Sequence, residues 1–415
     1  MKKSISPSEA RGTQAAPASK SEMQRAVAAA VIAHGRSIIT NPSYCEDSKA
    51  ALSMAGALGA RVQMFPDRVI IDGGINPAND TLDCGESGLG VRMFTPIAAL
   101  TGRHITLTGR GSLLKRPVST IEESLMELGA SVKSHNGFLP IEVSSKLKGG
   151  STVIDGSLSS QFLTGLLMAL PSAEKDSVIT VKNLKSRQYI DITLKILKNF
   201  SVDVKNTDYS VFTISGGQHF VPSQVDIEGD WSGAAFLLCA GAIRGEVTVT
   251  GLNNSSLQPD RAVVDALKRA GAAVTVRAGS FTVKQAKLKG FEFDAAECPD
   301  LFPPLAALAM YCEGRTVLRG AGRLTHKESD RGAVIKTELG KLNGSIELDG
   351  DCMIITGSRV RGGHTDSHGD HRIAMACAIA ALGAEGPVVI DHAESIDKSY
   401  HEFYDHLAAL GVDVQ

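Results

Sequence analysis

The sequence predicts a mixed α/β protein of two domains, each built from three copies of one repeating unit. Three observations point there: six polar segments that each lead into an apolar helical run, six helix–cap–strand junctions at nearly even spacing, and strand patterns between them. The polar segments are SKSE at Ser19 to Glu22, ESGLGVR at Glu86 to Arg92, DGSLSSQ at Asp155 to Gln161, GDWSG at Gly229 to Gly233, CPD at Cys298 to Asp300 and GDHR at Gly369 to Arg372. The runs that follow, such as FLTGLLMALP and AAFLLCAGAI, are apolar on every side, so these helices belong in a core. Each helix start then presents unpaired N–H groups and partial positive charge at a polar mouth. The mouth before Phe162 is the fullest, with Ser157, Ser159, Ser160 and Gln161 placed to hold an anion, phosphate above all.

The junctions are ALGARV, ELGASV, NFSVDV, RAGAAV, KLNGSI and ALGVDV. In each, a helical pattern ends at a residue able to take the left-handed conformation, and a strand of alternating polarity follows. Gly59, Gly129, Gly271 and Gly411 fill the cap, Asn343 is the next best residue there, and Ser201 is the weak member. Successive caps are 70, 72, 70, 72 and 68 residues apart, so six units of one length account for the chain. Each unit holds a buried helix, an amphipathic helix, and strands between and after them. Phe65 to Asp72, Gly279 to Gln285 and Asp351 to Gly357 read as the closing strands of hairpins, so parallel and antiparallel pairing coexist. Six like units divide most simply into two domains of three, with buried helices inside, sheets outside, and six helix starts turned towards one cleft. An open solenoid is the weaker reading, because its repeats usually run about 20 to 50 residues.

Composition narrows the function. Lys plus Arg number 43 against 45 Asp plus Glu, which leaves no global field for nucleic acid or a membrane surface. One Trp makes base stacking unattractive. Met1 to Arg11 holds no apolar segment of signal-peptide length, and no run elsewhere approaches the roughly 18 residues of a membrane span. The seven cysteines are scattered, without CxxC spacing, and several sit in apolar runs. They read as reduced core residues of a cytoplasmic protein.

The polar segments carry the candidate chemistry. SKSE has capping-box spacing, with Ser19 as cap and Glu22 reaching back, but that leaves Lys20, Ser21 and Arg25 unexplained. Ser21 and Arg25 are four apart on one face and can approach one carboxylate. GRGSLLKRP at Gly109 to Pro117 lacks Walker spacing, yet Pro117 holds Arg116 out of a helix, which suits an anion-facing loop. HKESDR at His326 to Arg331 sets Lys327, Glu328 and Arg331 within about one turn, where a surface ion cluster is the bland alternative. In GDHR, Asp370, His371 and Arg372 open a fully apolar helix, where charge needs a partner or a ligand. Asp300 is a candidate general base, with a simple N-cap as its alternative. His364, His368 and His371 surround a turn without the spacing of a metal site. No GxSxG or GxGxxG pattern supports hydrolase or dinucleotide chemistry.

Ten ordered segments, SKSEMQRA, CGESGLGVR, KRPVSTIEESLMELGA, DGSLSSQFLTGLLMALP, YIDITLKIL, EGDWSGAA, CPDLFP, HKESDR, GDHRIAM and KSYHEFY, resemble the 5-enolpyruvylshikimate 3-phosphate synthases over essentially the full chain. The resemblance implies two domains of three βαβαββ units in an inside-out α/β barrel of the enolpyruvyl transferase type. They would cover 19–227, and 1–18 with 228–415, with the active site in the cleft between them. It implies transfer of the enolpyruvyl group of phosphoenolpyruvate to the 5-hydroxyl of shikimate 3-phosphate, with no cofactor, no metal, and a monomer.

By the same resemblance, Ser21 and Arg25 would hold the shikimate carboxylate. Ser159, Ser160 and Ser186 would hold its phosphate with help from Lys327, and Tyr189 would lie along the ring. Lys20, Gly88, Arg116 and Gln161 would meet the phosphate of phosphoenolpyruvate, and Arg331 and Arg372 would fork its carboxylate. Lys398 would close the site. Asp300 would take the hydroxyl proton, Glu328 would protonate the methylene carbon, and Lys20 with the arginines would stabilise the tetrahedral intermediate.

The family commonly has Asn and Thr where this chain has Glu86 and Leu89, and Pro or Leu where it has Met93. An acidic Glu86 beside two anionic ligands is unexpected. The related UDP-N-acetylglucosamine enolpyruvyl transferases carry a cysteine five residues before an Arg-Pro pair, and Gly111 stands there instead. A catalytically silent phosphate-binding module and an RNA-processing relative are the rivals from other classes. Asp300 and Glu328 weigh against the first, and neutral charge with few aromatics against the second.

Overall fold

The structure, a computed structural model, describes every residue of the chain except Leu158 and His326. Those two belong to the DGSLSSQ and HKESDR segments. The chain divides into two compact units, Ala18–Ile227 and Met1–Pro17 with Glu228–Gln415.

Twelve α-helices alternate between two kinds among the described residues. The apolar ones are α1 (Lys20–Ile32), α3 (Gly88–Ala99), α5 (Gln161–Ala169), α7 (Trp231–Ile243), α9 (Phe302–Ala309) and α11 (His371–Ala380). Between them come α2 (Glu46–Ala57), α4 (Thr120–Glu127), α6 (Arg187–Asn199), α8 (Val263–Arg269), α10 (Arg331–Lys341) and α12 (Phe403–Ala409). The apolar set is buried almost throughout. In α7 every residue but Ser232 is buried, because Gly, Ala, Leu and Phe surround the whole helix. Within Ala18–Ile227, α3 packs on α5 and α1, and in the other unit α7, α9 and α11 pack on one another. Each unit therefore has its own core, lined by helices with sheets outside.

All six expected cap residues take positive φ: Gly59 at +99°, Gly129 at +94°, Ser201 at +61°, Gly271 at +86°, Asn343 at +71° and Gly411 at +88°. The repeat is thus visible in the backbone, including at Ser201, where the residue type is least suited to it.

One sheet shows the rule for all. Thr81–Asp83 runs parallel to Ile105–Thr108, which pairs antiparallel with Phe138–Ser144, which pairs antiparallel with Ser131–His135. With α3 and α4 between the strands, the order along the chain is βαβαββ. Two repeats are completed by strands distant in sequence. Gln224–Asp226 pairs with Gly35–Thr40 as the opening strand of the first repeat, and Ala10–Ala15 pairs with Gly245–Thr250 as that of the fourth. The sixth repeat closes with Lys2–Ile5 against Val388–Asp391, and after Gly411 only a single bridge, Val414 to Ile5, is formed. The strand expected after Gly411 is therefore reduced to this bridge and the backbone bonds that join Ser4 to Gln415 and Ser6 to Asp413.

Candidate functional site

In the unit Ala18–Ile227, the SKSE segment opens α1. Ser19 Oγ accepts from Glu22 N (3.4 Å), and the Glu22 carboxylate takes the ammonium of Lys195 at 2.8 Å. Lys20 pairs with Asp47 at 3.0 Å, at the start of α2, where both are largely enclosed. Arg25 is buried. Its guanidinium donates to Ser21 O (2.7 Å), Thr193 Oγ1 (2.9 Å), Tyr189 O (3.3 Å) and Thr164 Oγ1 (3.4 Å), and it lies 5.9 Å from the centre of the Tyr189 ring. Burial pulls its pKa down to about 10, partly offset by Tyr189 and Glu22, so it keeps its charge at neutral pH. Ser21, Arg25 and Tyr189 are thus brought together from α1 and α6.

The serine mouth stands beside them. Ser159 Oγ accepts the Gln161 N–H at 3.1 Å, while the N-cap residue Ser160, buried, makes no capping bond of its own. The loop is tied to the one carrying Ser186 through Gly156 N to Lys182 O (2.8 Å) and Lys185 N to Gly156 O (3.2 Å). Ser186, at φ +56°, opens α6 and accepts the Tyr189 N–H. A third mouth is that of α3, capped by Ser87 Oγ on Gly90 N (3.0 Å). Arg116 rests against its first residue: a Cβ on Gly88 would stand 2.2 Å from Arg116 Nη1. Arg92 joins this mouth to the serine one, donating to Gly88 O (3.0 Å) and Gln161 Oε1 (3.4 Å).

In the other unit, Asp300 is not a helix cap. It lies in a short 3₁₀ turn, Pro299–Leu301, before α9, and its carboxylate bridges Arg331 Nη1 (2.8 Å) and Arg372 Nη2 (3.1 Å), with Lys327 Nζ at 3.6 Å. HKESDR is likewise no surface cluster, since Arg331 is fully enclosed. Its guanidinium meets three carboxylates: Asp300, Glu328 (2.5 Å) and Asp370, the last through Nε (2.9 Å) and Nη2 (3.2 Å). Asp370 also caps α11 by accepting from Arg372 N at 3.0 Å. Lys398, buried, ends the 3₁₀ segment Ala393–Lys398.

The field is strong here. Burial alone would push the Asp300 carboxyl up, but Arg372, Lys327 and Arg331 outweigh it and hold it well below the usual carboxylate range. Burial lowers the Lys327 ammonium despite Asp300. It works against Arg331 too, yet Asp370, Glu328 and Asp300 raise that guanidinium further. Asp260, fully buried, accepts from Ser232 Oγ through one oxygen, and the other has no hydrogen-bond partner among the described residues. Burial, with the charge of Asp300, lifts Asp260 to about 7.

The sequence reading left out Asp47 and Asp260. Asp47 follows Cys45 and Glu46 in the first turn of an amphipathic helix, where an acidic residue is ordinary. Its one signal is a buried position on that turn. Among the described residues, no group of three His, Cys, Asp or Glu side chains is placed to hold a metal ion. His364 lies 3.4 Å from Asp391, and His368 lies 2.9 Å from Glu338. All seven cysteines are unbridged and six are buried. Among the described residues, no helix is long and apolar enough to cross a membrane.

A family model described as EPSP synthase (3-phosphoshikimate 1-carboxyvinyltransferase) matches residues 6–407. Among curated proteins, the 3-phosphoshikimate 1-carboxyvinyltransferase of Clostridium kluyveri is 37% identical over 99% of this chain and 97% of its own. That of Clostridium novyi is 36% identical over 98% and 97%, and that of Methanocorpusculum labreanum 36% over both whole chains. Among solved structures, EPSP synthase from Acinetobacter baumannii superposes with a TM-score of 0.84 at 28% identity, covering 100% of this chain and 99% of that one.

Proposed function

We propose that this chain, which belongs to the EPSP synthase (3-phosphoshikimate 1-carboxyvinyltransferase) family, transfers the enolpyruvyl group of phosphoenolpyruvate to the 5-hydroxyl of shikimate 3-phosphate and releases phosphate. The observation that carries the mechanism is the Asp300 carboxylate held between Arg331 and Arg372 beside Lys327. Two arginines that grip a carboxylate from the chain are shaped for a carboxylate from a ligand. When that of phosphoenolpyruvate takes the arginines, Asp300 loses the cations that make it a poor base and rises towards a useful proton affinity. It then accepts the 5-hydroxyl proton as the oxygen attacks C2, and Glu328 delivers a proton to the methylene carbon. Lys20, Lys327 and Arg116 carry the charge of the tetrahedral intermediate until phosphate leaves with the electrons of its C–O bond, while a proton returns from the methyl carbon to Glu328 and restores the C=C bond.

Shikimate 3-phosphate is held on Ala18–Ile227: its phosphate at Ser159, Ser160 and Ser186, its carboxylate at Ser21 and Arg25, its ring along Tyr189. The joining of these loops supports that reading. Gly88, Gln161 and Arg116 receive the phosphate of phosphoenolpyruvate, and Lys398 closes the site. The chain works as a cytoplasmic monomer without a cofactor.

Mixing the protein with phosphoenolpyruvate and shikimate 3-phosphate should release phosphate, and UDP-N-acetylglucosamine in its place should release none. Binding of shikimate 3-phosphate without release would favour a silent binding module.

A further inference from the structure

The acidic residue at an anion-holding mouth is accounted for by where its carboxylate goes. Glu86 sits between the strand Thr81–Asp83 and Ser87, the N-cap of α3. Its Oε2 accepts from Ser112 twice, from N at 3.2 Å and from Oγ at 2.9 Å. Ser112 lies in the first turn of a 3₁₀ helix, Gly111–Lys115, whose early N–H groups have no partner within the helix. A carboxylate can take the amide and the hydroxyl together, and its charge strengthens both bonds.

The residue beside Ser112 is part of the same device. Gly111 has φ +57°, and a Cβ there would stand 2.2 Å from Glu86 Oε1. A side chain at 111 would displace the Glu86 carboxylate from this position. At the far end of the loop, Arg92 Nη2 donates to Pro117 O at 2.8 Å. The segment 112–117 is pinned at both ends, and Arg116 lies between the pins with its guanidinium against Gly88.

We propose that Glu86 is a positioning residue that latches the 111–116 loop through Ser112 and so holds Arg116 at the mouth of α3. The proposal rests on the reading above in which Arg116 receives the phosphate of phosphoenolpyruvate. The negative charge thus serves an anion site indirectly, by fixing the cation.

The test uses the full chain as wild type, Glu86→Ala, Glu86→Gln, Ser112→Ala and the double Glu86→Ala/Ser112→Ala. Glu86→Ala should raise KM for phosphoenolpyruvate about five- to tenfold, with KM for shikimate 3-phosphate and kcat changed less than about twofold. Glu86→Gln, whose amide oxygen still accepts from Ser112, should restore most of that loss. The double variant should be no worse than the worse single one, because both remove one latch. Hydrogen exchange on the unliganded protein should quicken at 111–116 in Glu86→Ala and stay unchanged at 155–161. An unchanged KM for phosphoenolpyruvate, equal losses for both substrates, or unchanged exchange at 111–116 would each overturn the latch. A wild type that releases no phosphate would defeat the functional reading instead, and hydrogen exchange alone would then decide this one.

Discussion

Arg331 is buried among Asp300, Glu328 and Asp370, and with Lys327 and Arg372 nearby the charges balance three against three. Such a set is tolerable in a core because each ion has partners, and removing one would strand the others. Asp260 sits at its edge and is the exception. It faces Asp300, Asp230 and Arg372, accepts from Ser232, and has one oxygen unpartnered among the described residues. With its folded pKa near 7, against an ordinary value of 3.8, the native state keeps the proton where the unfolded chain has lost it. The stability linked to that proton is whole below about pH 4 and is lost as pH rises through about 7. Asp260→Asn, which cannot ionise, should therefore gain on the wild type across this window. Urea midpoints of both proteins at pH 5 and pH 8 would show a difference that grows with pH, and a constant difference would refute the assignment. The sequence marked Arg372 because charge at an apolar helix mouth is anomalous, whereas Lys327 and Arg331 stood out only by their spacing and by the family resemblance. It hid Asp47 and Asp260, because an acidic residue in a first turn or beside a proline looks like an ordinary cap.

At the scale of elements, the repeat was readable from its caps, and the weakest cap makes the sharpest test. Ser201 is exposed and stands at φ +61°, where its Cβ is strained, while four of its five counterparts are glycine. Ser201→Gly should relieve that strain and stabilise the protein by about 1 kcal/mol, net of the added entropy of the unfolded chain. Gly411→Ser, in the equivalent place at φ +88°, should cost a similar amount. Chemical denaturation of both variants checks the pair, and equal signs would contradict the equivalence. The apolar helices were equally legible, since burial on every side leaves a composition no surface helix has. The short strands were not. Three residues such as Gln224–Asp226 carry too little alternation to announce a strand, and their pairing with Gly35–Thr40 is set by the fold around them.

At the scale of the whole molecule, that unreadable pairing decides which part of the chain can stand without the rest. Ala18–Ile227 completes its own sheets from within one continuous segment, with Gln224–Asp226 returning to the first repeat. The other unit needs its N-terminal residues: Lys2–Ile5 and Ala10–Ala15 enter two of its sheets, and Ile5 and Ala10 are fully buried. Removing residues 1–17 should leave Ala18–Ile227 intact and destabilise only Glu228–Gln415, on the order of 3 kcal/mol or more from lost apolar burial and ladder bonds. The single Trp makes the consequence measurable. Trp231 opens α7, is fully buried, and meets the Phe281 ring edge-on at 4.7 Å, so its fluorescence reports on that unit alone. In the truncated protein the fluorescence transition should move to lower denaturant. The part of the circular dichroism signal that belongs to Ala18–Ile227 should keep its midpoint, because none of the strands removed pairs with a strand there. A fluorescence midpoint unmoved by the truncation would mean that the N-terminal strands add nothing to the core they enter, against the complete burial of Ile5 and Ala10.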